Sequence, residues 1–376
     1  MSPGTPPPRR IAVLGGGMIA SVHRRAALLA GAEVAGVLAS SPQRSREVAD
    51  RWRVPRAYRD LDEVLADEQV DTVHVCTPNA THAPFAEAVL RAGKHVVCEK
   101  PLGVSVEQAA RMASLAESSG LVATVPFVYR YHPVVRELRA RRLAGEFGDW
   151  TLIHGSYLQD WMLSPDASGW RVDPGLGGPS RAFADIGSHW CDLVEWVSGE
   201  RFTDLLAATS IAVPRRPASG GSTFSQSSSG ELVEVSTEDS AALLLRTEGG
   251  VLGSATVSQV AAGRKNRLWF ELDGSLGSAV FDQENPEQVW LGAPGGNRIL
   301  VRDPVHGSDE QRRLSVLPAG HPQGYAQCFE AFVADTYAAI DGGAPEGLPT
   351  FADGLRSARL VEAVLRSSHD GTWTKV

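Results

Sequence analysis

The feature that most constrains this chain is a glycine-rich loop between a short apolar strand and a helix. Residues 10–14 form an apolar run typical of a buried strand, and a helical pattern starts at about Met18. The loop reads Gly15, Gly16, Gly17, Met18, Ile19, Ala20. This order matches GxGxxG/A. The position of the motif after a strand and before a helix is stronger evidence for its function than the match itself.

The small residues of this loop suit a dinucleotide. Gly15 allows the tight turn, Gly17 lets a pyrophosphate approach the backbone, and Ala20 lets the helix pack on the strand. Met18 and Ile19 lie at the helix start, where free N–H groups and the helix dipole favour phosphate. The alternative is a strand–helix turn without a ligand; the context favours dinucleotide binding.

Strands and helices alternate over residues 10–127. Predicted strands cover 10–14, 33–38, 72–76, 95–98 and 121–125, and predicted helices cover 18–30, 45–52, 60–66, 83–92 and 105–118. Strands separated by helices indicate βαβ units and a parallel sheet. We predict an α/β Rossmann domain over residues 10–127, with helices on both faces of the sheet.

The pattern changes after residue 127. One more helix is predicted over 132–144, followed by strands over 150–158, 241–246, 251–260, 268–272 and 278–282. Turn signals separate these strands, which indicates an α+β domain built on an antiparallel sheet over residues 128–376. The serine- and glycine-rich residues 219–230 predict a mobile surface loop.

Composition excludes several classes of protein. The net charge of −8 predicts neither a nucleic-acid surface nor a polybasic membrane anchor. No apolar run approaches the ~18 residues of a membrane span. The proline-rich residues 1–9 predict a disordered lead-in without the apolar core of an export signal, so we expect a cytoplasmic protein.

The cysteines and histidines do not indicate a metal site. The four cysteines are far apart, which predicts buried reduced thiols. The histidines show no HxxxH or HxH spacing, so we expect no metal.

The end of the second strand bears on the choice of dinucleotide. An acidic residue there accepts a hydrogen bond from the ribose 2′-hydroxyl of NAD, but this chain has Ser40, Ser41 and Arg44 after Ala39. Two hydroxyls and a guanidinium suit a 2′-phosphate. We therefore favour NADP(H) and leave NAD(H) open, because Arg44 could also lie over the adenine or in solvent.

Three further stretches carry a family resemblance. They are residues 77–82 (Thr-Pro-Asn-Ala-Thr-His), residues 92–102, which contain Glu99-Lys100-Pro101, and residues 185–189 (Asp-Ile-Gly-Ser-His). With the glycine loop they resemble the glucose–fructose oxidoreductase/inositol dehydrogenase (Gfo/Idh/MocA) family from about Arg10 to the end of the chain. Residues 157–161, 169–171 and 350–354 resemble the branch that contains levoglucosan dehydrogenase-like sugar dehydrogenases.

The resemblance implies a fold, a reaction and an assembly. It implies a Rossmann domain, a second domain with a large, mostly antiparallel open sheet, and homodimers or homotetramers formed through that sheet. It also implies a sugar, glycoside or cyclitol substrate. The turn formed by Thr77, Pro78, Asn79 and His82 is implied to lie on the nicotinamide side, and Glu99 and Lys100 in the cofactor site. An ordinary turn in which Asn79 or Thr81 caps the next helix is the alternative.

Lys100, Asp185 and His189 are the candidate catalytic residues. Lys100 follows an apolar strand at the carboxyl edge of a parallel sheet, where an ammonium can polarise a substrate oxygen. Asp185 and His189 are four residues apart and share one face if the segment is helical. A histidine can exchange the proton and the carboxylate can orient it. The alternatives are a solvated lysine, a helix-capping aspartate and a core histidine.

Aromatic and polar residues of the second domain could line a sugar pocket, because sugars favour aromatic faces for C–H contacts and polar groups for hydroxyls. These candidates are Tyr129, Arg130, Tyr157, Gln159, Asp160, Trp161 and Trp170.

We therefore predict an NAD(P)-dependent dehydrogenase or reductase that acts on a secondary alcohol or ketone of a sugar or cyclitol. One alternative is a glycoside-cleaving enzyme of the same fold that oxidises a hydroxyl transiently with a retained dinucleotide. A non-catalytic dinucleotide sensor is the other; the retention of all three candidate catalytic residues argues against it.

Overall fold

The computed structural model describes residues 8–218, 225–226 and 231–376. The chain divides into two compact units. The first comprises Met1–Gly103, Glu107–Pro126 and Phe329–Leu355, and the second comprises Val104–Val106, Phe127–Cys328 and Arg356–Val376.

The first unit contains a six-stranded parallel sheet in the order β3-β2-β1-β4-β5-β6. Its strands are β1 (Arg10–Leu14), β2 (Glu33–Leu38), β3 (Arg56–Ala57), β4 (Thr72–Val75), β5 (His95–Cys98) and β6 (Ala123–Thr124). Its helices are α1 (Met18–Leu29), α2 (Pro42–Trp52), α3 (Leu61–Leu65), α4 (His82–Arg91) and α5 (Val106–Ser119). The order places β1 and β4 side by side at the switch point, outside whose carboxyl ends open α/β sheets bind ligands.

The predicted Rossmann pattern is confirmed, with local differences. The central strands are buried on both faces, as expected for a covered parallel sheet. α2 starts at Pro42, three residues earlier than predicted, because Ser41 caps it. β6 has only two residues, although a strand was predicted over 121–125.

A later segment returns to the first unit, which the predicted boundary at residue 127 missed. Helix α10 (Tyr325–Ile340) and the segment after it pack beside β6. The Oγ1 atoms of Thr124 and Thr336 lie 3.3 Å apart, and the Val125 amide donates to the Pro349 carbonyl at 3.2 Å. The sequence shows no break in composition at this return, so a single boundary was the natural expectation.

The second unit is built on a nine-stranded sheet in the order β18-β17-β16-β15-β7-β14-β13-β9-β19. All neighbouring pairs are antiparallel except β14 and β7, which confirms the large, mostly antiparallel sheet. Its strands are β7 (Trp150–Leu158), β9 (Phe202–Ser210), β13 (Ser240–Thr247), β14 (Leu252–Ser258), β15 (Arg267–Gly274), β16 (Ser278–Asp282), β17 (Gln288–Ala293), β18 (Gly296–Val301) and β19 (Thr374–Lys375).

The remaining strands and helices lie outside these two sheets or pack on them. They are the strands β8 (Ala167–Ser168), β10 (Arg215–Pro217), β11 (Ser225–Gln226) and β12 (Leu232–Glu234), and the helices α6 (Pro133–Leu143), α7 (Pro174–Gly177), α8 (Ser188–Ser198), α9 (Asp309–Leu314) and α11 (Phe351–Asp370). The sequence pattern did not single out β9, β17 or β18. The predicted mobile loop over 219–230 lies outside the described residues except for β11.

One face of the large sheet carries the core of the second unit. The fully buried Trp190 of α8 lies against it and donates from Nε1 to the Trp269 carbonyl at 2.9 Å. Gly155 of β7 makes this approach feasible, because a Cβ there would lie 2.6 Å from Trp190 Nε1 and 2.2 Å from the Trp269 carbonyl oxygen. The strand glycine thus leaves the space in which the Trp190 indole approaches the sheet.

Arg9 corrects the predicted lead-in over residues 1–9. Its guanidinium pairs with Asp71 at 3.0 Å and with Asp341 at 2.6 Å, and its carbonyl accepts from the Glu33 amide. Arg9 is therefore part of the packed first unit. Residues 1–7 lie outside the described part of the chain.

Candidate functional site

The glycine loop has the geometry that its spacing predicts. Gly15 has a φ of +114°, and a Cβ there would lie 2.4 Å from the Cys76 carbonyl oxygen. Gly15 also donates from its amide to the Leu38 carbonyl at 2.7 Å. Only glycine fits this position. Through Gly15, the turn after β1 contacts the residues at the ends of β2 and β4.

The start of α1 leaves room for a ligand. A Cβ on Gly17 would meet nothing within 4 Å, and Gly17 caps the helix without any side-chain hydrogen bond. Ala20 is fully buried against the sheet, whereas Met18 is exposed. The first amides of a helix have no intrahelical partner, so this open helix end fits the pyrophosphate of a dinucleotide.

The end of β2 presents hydroxyls and a cation. Ser41 Oγ accepts from the Arg44 amide at 3.1 Å as the cap of α2, and Ser40 is exposed beside it. Arg44 Nη1 pairs with Glu47 Oε2 at 2.8 Å in an exposed contact. The hydrogen bond from Arg44 lowers the pKa of the Glu47 carboxyl. A 2′-phosphate would therefore compete with Glu47 for Arg44.

A histidine connects two of the predicted cofactor segments. His82 is buried, with Nδ1 2.7 Å from the Pro101 carbonyl oxygen and Nε2 2.9 Å from the Thr77 carbonyl oxygen. It thereby links the turn after β4 to the Glu-Lys-Pro turn after β5. Burial lowers its pKa, although both carbonyl contacts oppose that shift.

Thr81, the cap residue of α4, makes no side-chain capping bond. Asn79 lies in a short 3₁₀ segment after Pro78. Thr81 Oγ1 instead donates within the turn, to Thr77 Oγ1 at 2.6 Å or the Pro78 carbonyl at 2.7 Å. The turn is stabilised internally.

Glu99 and Lys100 follow β5 directly. Glu99 is 7% exposed, and its Oε2 accepts from the Lys100 amide at 3.2 Å. Its Oε1 lies 3.0 Å from Nε2 of His23, a buried residue of α1 that sequence reasoning missed. A carboxylate and an ammonium side chain thus occur together at the carboxyl edge of the first unit's sheet.

Asp185 and His189 span a change of helix type in the second unit. Asp185 lies in a π-helical turn (Phe183–Gly187), and His189 is the second residue of α8. The segment is therefore helical, but the turn at Asp185 is of the π type and not the α type. Gly187 permits the wide turn, because a Cβ there would lie 2.3 Å from the Phe183 ring. Such turns are frequent at functional sites.

Two residues from distant segments hold the Asp185 carboxylate. Gln259 Nε2 donates to Oδ2 at 2.8 Å, and Arg171 Nε lies 3.5 Å from Oδ1. Gln259 is fully buried just after β14. Neither residue was predicted, because a glutamine after a strand and an arginine in a loop carry no distinctive pattern.

His189 lies among aromatic side chains. Its ring is edge-on to Phe127 and Tyr129, with centroids 5.6 and 5.0 Å away, and tilted against Tyr157 at 6.5 Å. These rings shield much of the imidazole from water, and His189 is 8% exposed.

A cluster of hydroxyl and amide groups adjoins His189. The Tyr129 and Tyr157 hydroxyls lie 2.6 Å apart, and Tyr157 donates to Asn266 Oδ1 at 2.7 Å. Gln159 Nε2 donates to the same Asn266 oxygen at 2.8 Å, and Trp161 Nε1 donates to Gln159 Oε1. Burial raises the pKa of both phenols, so both stay protonated at neutral pH. Asn266 was missed by the sequence analysis.

Three of the predicted pocket residues have other partners. Arg130 makes a buried bidentate ion pair with Asp192, and Asp160 accepts from Lys265 Nζ at 2.7 Å. Arg130 is thus paired in the interior and Asp160 is paired with an exposed lysine, and a role of either residue in the sugar pocket stays a prediction. One face of Trp170 is covered by the Arg171 guanidinium, 4.4 Å from the ring centroid.

One group of three described residues has the side chains and the spacing that could hold a metal ion. His154 of β7 and Glu271 and Asp273 of β15 place their ligand atoms within 4.8 Å of one another. His154 Nε2 lies 3.6 Å from Glu271 and 3.8 Å from Asp273. This arrangement is also that of a cross-strand charge cluster, so we assign no metal to it.

Comparison with known proteins defines the class of this chain. Residues 9–127 match the oxidoreductase family with an NAD-binding Rossmann fold, and residues 135–280 match the GFO/IDH/MocA C-terminal domain. The protein is thus an oxidoreductase with a dinucleotide-binding Rossmann domain. It belongs to the Gfo/Idh/MocA family.

Three relatives illustrate the similarity. Levoglucosan dehydrogenase from Pseudarthrobacter phenanthrenivorans is 30% identical over 350 residues, which cover 90% of this chain and 88% of the relative. A levoglucosan dehydrogenase complex with NADH and L-sorbose aligns with a TM-score of 0.89 at 27% identity, covering 98% of both chains. An inositol dehydrogenase homologue from Azotobacter vinelandii with NADH and myo-inositol aligns with a TM-score of 0.83 at 27% identity and the same coverage.

Among the described residues, no helix is both long and apolar enough to span a bilayer.

Proposed function

We propose that the protein transfers hydride between a nicotinamide dinucleotide and a secondary alcohol or ketone of a sugar or cyclitol. The observation that carries this proposal is the fixed Asp185 carboxylate one helical turn before His189, beside a cluster of protonated hydroxyls and amides. That cluster suits a substrate with several hydroxyl groups, and the named relatives act on such compounds.

Each candidate residue has a role in the reaction that its chemistry suits. The nicotinamide supplies the hydride chemistry when the dinucleotide is bound. Lys100 donates to the reacting oxygen and stabilises the charge that develops on it. His189 exchanges the hydroxyl proton, and Asp185, held by Gln259, orients the substrate or the imidazole. The test is the turnover of sugars and cyclitols by variants of Lys100, His189 and Asp185.

The loop at Gly17 gives a prediction that separates dinucleotide binding from folding. Gly17→Ser adds a hydroxyl that caps α1, so stability should stay the same or rise. The same hydroxyl occupies the amides that the pyrophosphate needs, and the dinucleotide Kd should increase about tenfold. Thermal unfolding and fluorescence titration check the two halves of this prediction.

Gly295→Ser is the matched control. Gly295 also has open space around its Cβ position and lies far along the chain in the second unit. It should change neither the unfolding temperature nor the dinucleotide Kd. Unaltered dinucleotide affinity in Gly17→Ser would show that the glycine loop is not part of the cofactor site.

We further propose that NADPH binds more tightly than NADH. The support is the lack of a carboxylate at the end of β2 and the exposed Ser40, Ser41 and Arg44 next to it. Arg44→Ala should weaken NADPH more than NADH, whereas Glu47→Gln should strengthen NADPH by freeing Arg44. Competitive titration of both dinucleotides checks this, and tighter binding of NADH by the native protein would contradict it.

We also propose that the chain forms a homodimer or homotetramer through the outer face of the nine-stranded sheet. Leu244, Leu252 and Ile299 are each about half exposed on strands of this sheet, and the strand register places Leu244 and Ile299 on the face opposite the core. Large exposed apolar patches mark contact surfaces. Leu244→Glu should lower the mass measured by light scattering to that of a monomer, whereas Leu143→Glu, an exposed leucine on α6, should not. A native monomer would contradict the proposal.

A further inference from the structure

A continuous chain of hydrogen bonds lies inside the first unit and ends at Glu99. Glu99 Oε1 is 3.0 Å from His23 Nε2, and His23 Nδ1 is 2.9 Å from His74 Nδ1. His74 Nε2 is 2.9 Å from the Tyr337 hydroxyl. The two histidines are fully buried, and Tyr337 is 5% exposed. We call these four residues the relay.

The relay joins four elements that are distant in sequence. His23 is on α1, His74 on β4, Glu99 directly after β5, and Tyr337 on α10. The rings meet edge to face, with centroids 5.1 Å apart for His23 and His74 and 6.0 Å apart for His74 and Tyr337. Four buried polar side chains are costly unless every one is hydrogen-bonded, and the relay meets that condition.

Only certain proton arrangements satisfy the relay, because each of its hydrogen bonds needs one donor and one acceptor. An ionised Glu99 requires a proton on His23 Nε2. With His23 neutral, His74 donates from Nδ1 to His23, and Tyr337 donates to His74 Nε2. With His23 doubly protonated, the other two bonds reverse and His74 donates from Nε2 to Tyr337. His23 donates to Glu99 in both arrangements.

We propose that His74 and Tyr337 are positioning residues for Glu99 in the dinucleotide site. Their hydrogen bonds fix the orientation of the His23 ring, so that its Nε2 faces the Glu99 carboxylate and donates an N–H to it while Glu99 is ionised. Glu99 is then held at Oε1 by His23 and at Oε2 by the Lys100 amide, with its remaining lone pairs available for hydroxyl groups of the dinucleotide. This inference rests on the proposed dinucleotide-dependent function.

The charges around the relay determine its response to pH. Glu99 faces His23, Lys100 and His82, and the nearby thiols are Cys76 and Cys98; Tyr337 faces Arg9 and Asp71. Burial raises the pKa of Glu99, but the hydrogen bond and charge of His23, together with the charges of Lys100 and His82, lower that pKa by more, and the net shift is downward. A carboxyl with a lowered pKa keeps its charge, and its contribution to binding, until the pH falls through that pKa.

The test is the pH dependence of dinucleotide binding in relay variants of the full chain. In Tyr337→Phe and His74→Leu the His23 ring loses its support, so the pKa of Glu99 should rise. The acid limb of dinucleotide affinity should then move to higher pH, with a Kd about tenfold above the native value on that limb and within about threefold of it at pH 8. Thr336→Val, which removes the neighbouring buried hydroxyl on α10, is the control and should keep the native profile.

A loss of affinity that is equal at every pH would show that the relay residues serve only the packing of the first unit, and it would overturn the inference. A native-like profile in both variants would do the same. Absence of dinucleotide binding by the native protein would instead defeat the proposed function, so the two failures are distinguishable.

A measurement on the native protein avoids variants that fail to fold. Nitrogen NMR of the histidine rings should show a protonated Nε2 on His23 at pH 7. A bare Nε2 on His23 would overturn the inference.

Discussion

Lys100→Met should reduce kcat about a thousandfold while leaving the dinucleotide Kd within about threefold of the native value. The substitution keeps most of the side-chain volume but removes the ammonium that we propose to polarise the reacting oxygen. A donor aimed at developing charge contributes about 10²- to 10³-fold, and proton transfer adds to that. The expected loss corresponds to about 4 kcal/mol of barrier. Single-turnover kinetics with saturating dinucleotide measures it.

Lys265→Met is the matched control for this prediction. Lys265 is an exposed lysine of the second unit that pairs with Asp160. Its loss should leave kcat within about twofold of the native value, because an exposed ion pair contributes little. Native-like turnover in Lys100→Met would remove Lys100 from the mechanism, whatever the control shows.

His189→Asn should lower kcat by about 10²- to 10³-fold, again with little change in dinucleotide affinity. Asparagine keeps a hydrogen-bonding group in the aromatic surroundings of His189 but cannot accept and release a proton. His306→Asn, at an exposed histidine of the same unit, should have no effect.

Asp185→Asn tests whether the carboxylate and the imidazole act as one unit. The amide can still accept from Gln259 but loses its charge toward Arg171. If the two residues cooperate, the Asp185→Asn/His189→Asn double variant should lose little more activity than His189→Asn alone. Multiplicative losses would show that Asp185 acts separately from His189.

Much of the Rossmann half of the fold could be predicted because its signals are local, although the two-residue strand β3 was missed. Continuous apolar runs and glycine stops define β1, β2 and β5 with the bounds that the structure shows. The return of residues 329–355 to the first unit could not be predicted, because it depends on contacts such as Thr124 with Thr336, which are 212 positions apart.

The candidate site likewise contains residues with a local sequence signal and residues without one. Gly15, Gly17, Lys100, Asp185 and His189 belong to short motifs whose spacing has a physical reason. Gln259 and Asn266 act only through tertiary contacts and carry no local signal.

The partners of residues chosen by type alone could not be predicted. Arg130 and Asp160 were selected as polar groups near aromatic residues, and both form ion pairs with residues that no sequence pattern connects to them. The π-helical turn at Asp185 was also invisible, because it depends on the packing of Gly187 against Phe183.

The most direct test of the central claim is the nicotinamide absorbance of the native protein mixed with NADP⁺ or NAD⁺ and a panel of sugars and cyclitols. The proposed function predicts stoichiometric formation of reduced dinucleotide with at least one polyhydroxylated substrate, and loss of this signal in Lys100→Met. Cleavage of a glycoside without net reduction of the dinucleotide would favour the glycosidic alternative. A protein that neither retains nor binds either dinucleotide would contradict the account.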